Sequence, residues 1–401
     1  MTSSLSYWTR SLRLAARDPL KLGALARLKA GGVSGWNDPA RDTRAPFPLV
    51  VSIRMNYGCN LRCLMCNQWG ENGVFVKTPE RLVPREMTLE DWKAFVDRIA
   101  PFRPYVYFTG GEPLMNPDAL ELVRHCARRH LPTGMSTNGT YLKARAEELV
   151  RSGLDYLYTS LDSPVPLENG SIRPTARGGD SSADAVDAIR HTVEIRDRLK
   201  AGLPMVQVQT IIVRENHDRL YATGRFVDDV LKADCWGLQP CVFTTPELDR
   251  RTTGTYQERY GQDQAGWTGF IRDFEGLDPD KLESEIARIR SARWRFKLRL
   301  YRPMGMRGFS FRRYFFEPER FATDEPLTCM NPYVFAQVQP NGDVAFCGSQ
   351  PDYTIGNVKE QGLDRLWNND RARRWRASLR EGLFASCTRC FSLHEFSHFR
   401  K

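Results

Sequence analysis

Cys59, Cys63 and Cys66 fall within one short stretch, YGCNLRCLMCNQW, of a 401-residue chain that has only ten cysteines. Thiolates are soft ligands, and structural zinc usually takes four of them from two paired sets such as CxxC with CxxC. A CxxxCxxC loop instead offers three. Three soft ligands on one tight loop suit three irons of a 4Fe-4S cube and leave the fourth iron open to a cofactor or substrate. A second set, Cys329, Cys347, Cys387 and Cys390, makes a complete tetrathiolate that either tetrahedral zinc or a fully ligated 4Fe-4S cube would accept. Of the remaining cysteines, Cys126 lies mid-helix in LELVRHCARRH and reads as packing, and Cys235 begins a strand. Cys241, in LQPCVF, follows a proline near the carboxyl end of that strand. It is the candidate catalytic thiol, facing the cavity at the carboxyl ends of the strands.

Such residues need a scaffold that converges on them. From residue 49 short apolar runs alternate with helical patterns. The strand candidates are LVVSIRM (49–55), YVYFTG (105–110), PTGMST (132–137), YLYTSL (156–161), VQVQTIIV (206–213) and CWGLQPCVF (235–243), with helices expected near 88–100, 117–130, 141–152, 181–200 and 216–232. Strands read as apolar on both faces predict an α/β fold, a parallel sheet curled into a partial (β/α)6 barrel. Functional residues then sit just past the carboxyl ends of the strands. Cys59 follows the first strand, GGEP (110–113) the second, STNG (136–139) the third and SLDS (160–163) the fourth.

The CxxxCxxC loop after strand one and GGEP after strand two together resemble the radical SAM superfamily. The resemblance implies that S-adenosylmethionine chelates the open iron and is cleaved by one electron to a 5'-deoxyadenosyl radical that abstracts hydrogen from substrate. It implies that Gly110 and Gly111 let the backbone approach the cofactor and that the Glu112 carboxylate receives the methionine ammonium. Ser136 and Asn138 fall where the family places polar contacts to the cofactor, and Ser160 and Asp162 where it holds ribose hydroxyls. Arg177, in RGG, is a candidate for the methionine carboxylate, and Ile211 and Val213 for flanking adenine. Met65 departs from the family, which usually has an aromatic residue there. The cysteine-bounded hairpin CMNPYVFAQVQPNGDVAFCGS (329–349) followed by CTRC (387–390) resembles the SPASM and twitch extensions of these enzymes, which bind auxiliary 4Fe-4S clusters. Four cysteines match a single-cluster, twitch-type domain.

The expected organisation is a basic helical extension (1–45), the barrel core (46–243), a linker or specificity region (244–326) with a helix in DPDKLESEIARIRSAR (278–293), and the auxiliary domain (327–401). No apolar run is long enough to span a bilayer and no secretory signal is present, so a cytoplasmic location with reduced thiols is expected. The net charge of +10 raises the possibility of nucleic acid, but basic and acidic residues are mostly interleaved. The densest basic runs are Arg10, Arg13, Arg17, Lys21, Arg27 and Lys29, in a helical pattern broken at Pro19, and 371–380. The expected function is oxidation or epimerisation of a small hydroxylated metabolite, a sugar or aminocyclitol, with flavodoxin or ferredoxin as electron donor. A peptide maturase is the alternative, and a non-catalytic metal-binding nucleic-acid-binding protein the alternative from another class.

Overall fold

The computed structural model describes residues 18–29, 42–82, 86–179 and 182–395. All six expected strands form: β1 (Val50–Arg54), β2 (Tyr105–Thr109), β3 (Thr133–Thr137), β4 (Tyr156–Ser160), β5 (Met205–Ile212) and β6 (Cys235–Pro240). They pair in sequence order, all parallel. A seventh, β7 (Lys297–Leu300), adds to β6, so the region expected to be a linker supplies a strand of the sheet. The auxiliary hairpin is no separate layer either. Its first strand, β8 (Phe335–Val338), lies parallel to β1, and β9 (Asp343–Ala345) and β10 (Thr354–Asn357) continue the same sheet antiparallel, in the order β10-β9-β8-β1-β2-β3-β4-β5-β6-β7.

Helices cover one face of this sheet. The helix Leu89–Ile99 opens with a reciprocal cap between Thr88 and Asp91 and buries Trp92, Phe95, Val96 and Ile99. These join Val51, Ile53, Val106, Phe108, Leu157, Val208 and Trp236 from the strands in one continuous core. Register places the intervening residues on the other face. Ser52 stands beside Tyr107 and Gln337, Ser136 beside Tyr158, Tyr158 beside Gln207, and Gly237 beside Arg299. The strands are therefore apolar outward and polar inward, not apolar on both faces, and the concave side is a hydrophilic lumen lined by tyrosine, glutamine, serine and arginine. Gln207 Nε2 donates to Tyr301 Oη at 2.9 Å, across the curl of the sheet.

Pro19 begins a helix, Pro19–Lys29, rather than breaking one, because proline at the first helical position has no amide bond to lose. Lys21 Nζ reaches the buried Asp155 at 2.9 Å, and Leu25 packs with Val50 and Tyr105 at the amino ends of β1 and β2. The more N-terminal part of that basic pattern lies outside the described residues. The second basic run falls in and just after the helix Asp370–Ser378: Arg376 is buried against Trp367 and Phe346, whereas Arg371 and Arg374 are exposed and lie over Tyr353 and Tyr260. Among the described residues no helix is long and apolar enough to cross a membrane.

Candidate active site

The cysteine loop leaves β1 at the carboxyl edge of the sheet and is braced from three directions. Gly111 N donates to Asn56 O at 3.0 Å and Glu112 N to Gly58 O at 2.8 Å, so GGEP is stitched to the approach of the loop. A Cβ on Gly111 would lie 2.0 Å from Gly58 O, which is why this position needs glycine. Arg62 N and Leu64 N donate to Pro174 O and Ile172 O at 2.7 and 2.9 Å. From the third side Arg272 Nη1 donates to Leu64 O at 2.8 Å.

Every sulfur in the loop faces an N–H group. Leu61 N lies 3.4 Å from Cys59 Sγ, Gln68 N and Trp69 N each 3.4 Å from Cys66 Sγ, and Arg173 Nη1 3.7 Å from Cys63 Sγ. N–H donors of this kind favour thiolate over thiol and tune a cluster bound through it. Without metal, burial pushes Cys59 up to about 11 and Cys63 up to about 12, so the positive charge of bound iron is what keeps these sulfurs ionised. The donor set fits three irons of a cube.

Arg173 was not among the expected site residues. Its Nε donates to Asp162 Oδ2 at 2.7 Å while its other arm addresses Cys63, so a buried carboxylate holds a buried cation against the cluster loop. Asp162 Oδ1 accepts from Ile211 N at 2.8 Å. Both carboxylate oxygens are thus engaged within the chain, one by Arg173 and one by Ile211 N. Arg177 is exposed, four residues further on. Arg173, in SIRPTARGG, reaches the cysteine loop, as Arg62 and Arg272 do through Cys59 O and Leu64 O.

Glu112 is likewise engaged. Its Oε1 accepts from Thr137 Oγ1 at 2.7 Å and Leu114 N at 3.0 Å, and Oε2 from Asn138 N at 2.7 Å. The carboxylate ties the end of β2 to the end of β3. Burial pushes it up to about 7 against those three donors. Asn138 Nδ2 bonds Asn60 Oδ1 at 2.9 Å and approaches Cys59 Sγ at 3.9 Å, which puts STNG beside the loop as expected. Ser136 hydrogen-bonds Tyr107 inside the lumen, and Ser160 is half-buried on the same face. Ile211 is half-buried there, whereas Val213 is buried and lines a cleft of about 740 Å3, open to solvent, with Leu64, Asn72, Arg214, Arg272 and Phe274.

Cys241 does not face that cleft. It is 1% exposed within the main core, and Arg272 Nη1 covers its sulfur at 3.8 Å. The strand-end position suggested a cavity-facing thiol; the segment 268–274, invisible to strand patterns, comes back over it. Cys126 is buried as packing, as expected, and Cys235, the first residue of β6, is buried too.

Cys329, Cys347, Cys387 and Cys390 line one cavity of about 390 Å3 of space with Phe346, Trp375 and Phe384. Burial raises all four thiols, and for Cys387 the other three add to it, so the four sulfurs share one electrostatic site. Gln350 Nε2, buried with no partner, lines the same space, a donor left over for a bound inorganic sulfide. All ten cysteines are free thiols. Among the described residues no three His, Cys, Asp or Glu side chains are set to hold a single metal ion.

A parallel sheet curled into a partial barrel, with a three-cysteine loop at its carboxyl edge and four cysteines around one cavity in the C-terminal region, is the arrangement of an iron-sulfur enzyme. The chain belongs to the radical SAM superfamily, whose model matches residues 53–220, and carries a SPASM iron-sulfur cluster-binding domain over residues 329–391. Its cofactors are S-adenosylmethionine with a 4Fe-4S cluster, and auxiliary iron-sulfur in the SPASM domain. Among curated proteins it is 25% identical over 366 residues to the tungsten-containing aldehyde ferredoxin oxidoreductase cofactor-modifying protein of Pyrococcus furiosus, covering 86% of this chain and 87% of that one. It is 26% identical over 342 residues to the PqqA peptide cyclase of Streptomyces rochei, covering 82% and 78%. Among solved structures, Streptococcus suis SuiB bound to precursor peptide SuiA shares the fold with a TM-score of 0.57 at 15% identity, covering 92% of this chain and 74% of SuiB.

Proposed function

We propose that this radical SAM enzyme modifies a peptide. The similarity to a PqqA peptide cyclase over 82% of the chain is the observation that carries the reading, and it favours a peptide over the sugar or aminocyclitol expected from the sequence. Cys241, the catalytic thiol expected for epimerisation, is buried in the core. When bound, S-adenosylmethionine and its cluster supply homolytic abstraction of a substrate hydrogen.

The chain's own residues do the rest. Arg173, held by Asp162 at the cysteine loop, is the cation placed to receive the carboxylate of S-adenosylmethionine. Glu112 fixes the loop between β2 and β3, Asn138 the loop at Cys59, and Ser136, Ser160 and Ile211 shape the lumen wall beneath. The segment 262–274 bridges the two cysteine sets. Ala265 N donates to Asp352 Oδ2 at 3.0 Å next to the SPASM site, and Asn72 Nδ2 to Ile271 O at 2.9 Å next to the cysteine loop. It forms a wall against which an extended substrate would lie. An external one-electron donor such as flavodoxin or ferredoxin completes the system.

The test is anaerobic turnover of the reconstituted enzyme with S-adenosylmethionine and a reductant, with peptides encoded beside its gene as substrates. A peptide that raises 5'-deoxyadenosine release and loses two hydrogens by mass is the expected result. Stimulation by a sugar or aminocyclitol and by no peptide would sink the reading.

A further inference from the structure

Among the described residues, buried and half-buried cations mostly meet a carboxylate or several carbonyls, although Arg196 Nη2 and Arg376 Nη2 are left without a partner. Lys21 holds Asp155, Arg196 holds Asp234 and Arg173 holds Asp162. Arg389 donates to backbone carbonyls, among them Glu317 O at 2.7 Å and Arg313 O at 2.9 Å, and Arg376 donates to Pro332 O and Thr43 O while lying over three aromatic rings. Arg54 has much less. It is 6% exposed, its Nη1 makes one long bond of 3.3 Å to Gln339 Oε1, and its Nε is buried without a partner. The ionisable groups that act on it are Tyr57 and Cys66, with no carboxylate among them. An unpaired guanidinium, planar and always charged, is costly to bury unless an anion arrives.

Its place says where that anion comes from. Arg54 is the last residue of β1 on the lumen face, two residues beyond Ser52, and Cys66 of the cluster loop is close enough to act on it. Ser52 Oγ is also buried without a partner, and so is Gln209 Nε2 on β5, on the same inward face. Arg299, another cation on this face, already pairs with Glu395.

We propose that Arg54 is the anion receptor of the substrate pocket, taking a carboxylate carried by the substrate and holding it on the lumen side of the cysteine loop. With the peptide reading above, on which only the nature of the carrier rests, the group is an acidic side chain or a chain-terminal carboxylate. The bound cluster is the competing counter-charge, and the experiment separates the two.

Reconstituted holoenzyme with S-adenosylmethionine is titrated with N-acetylglutamate α-amide and with N-acetylglutamine α-amide, following ligand resonances by saturation transfer. The glutamate probe is expected to bind at least about tenfold more tightly, because a charged bond replaces a neutral one. In Arg54→Gln the preference should fall to about one, and Arg54→Lys, which keeps the charge but not the fork, should retain part of it. The iron content and cluster EPR signal of each variant report that it is assembled. Equal binding of the two probes by wild-type enzyme, or no binding of either, overturns the proposal without any variant. A preference unchanged in Arg54→Gln, with a shifted cluster midpoint potential, also overturns it and assigns the charge to the cluster. Lengthening the glutamate probe to acetyl-Ala-Ala-Glu-Ala-Ala-amide tests the carrier separately: tighter binding supports a peptide, and loss of binding leaves the receptor but removes the peptide reading.

Discussion

Glu112 and Arg173 show how the site's charges are managed by the chain before any cofactor arrives. Folding raises Glu112 from an ordinary 4.5 to about 7, so between those values the native state holds a proton that the unfolded chain has released. Its contribution to stability is therefore present below pH 4.5 and is lost as pH rises towards 7, by about 3 kcal/mol at most. Denaturant unfolding of metal-free protein at several pH values should show the Glu112→Gln variant losing less stability than wild type across that window; parallel curves would contradict the assignment. Arg173 makes the opposite case. Removing it by Arg173→Met strands Asp162, which is 0% exposed, and should cost about 3–5 kcal/mol, with loss of cluster retention. Adding Asp162→Asn should recover part of that stability without restoring binding of S-adenosylmethionine, since the carboxylate's role is to orient the guanidinium. A double variant that binds the cofactor normally would show that Arg173 is structural only.

At the scale of elements, close backbone contacts fix how the loops meet. A Cβ on Gly269 would lie 2.1 Å from Asn67 O, so the segment 262–274 touches the cysteine loop backbone to backbone. Gly269→Ala should push the two apart, cost about 1–3 kcal/mol and lower iron retention at the first cluster, measured by iron analysis after gel filtration. Gly254, exposed in the helix Pro246–Tyr260 with nothing near its missing Cβ, is the control: Gly254→Ala should stabilise by up to about 1 kcal/mol through helix propensity alone. These elements were unequally legible. The six core strands and the cysteine motifs stand out because β-branched runs and clustered thiols are locally distinctive. KLRL (297–300) has no such signature and becomes β7 only because β6 offers it an open edge. The lumen polarity was in plain alternation in YVYFT and VQVQT, but tyrosine counts as apolar in a hydrophobic pattern and hides the period of two. Arg173 carries no local signal at all, because only the fold brings Asp162 and Cys63 to it.

For the whole molecule, the continuity of the sheet through β8 and β1 means that the SPASM region is not an appendage. Cluster loss there should be felt everywhere. Reconstituted wild-type protein should hold about eight irons in two cubes, and Cys387→Ala with Cys390→Ala about four. Calorimetry should show that double variant melting in one transition at lower temperature than wild type; an unchanged main transition would mean that the SPASM region folds apart from the barrel. Stoichiometric zinc in the wild type would contradict the auxiliary cluster. At the opposite end of the sheet, Leu25 of the helix Pro19–Lys29 clusters with Val50 and Tyr105, the first residues of β1 and β2, and Tyr156, Phe335 and Leu203, which open β4, open β8 and precede β5, pack against that cluster. An apolar cluster thus packs at that end of the sheet, away from the cysteine loop. A peptide substrate, on the reading proposed above, would then enter and leave at the carboxyl edge beside that loop. Each modified position then requires a separate visit, and a substrate with several target residues should accumulate singly modified intermediates before doubly modified product.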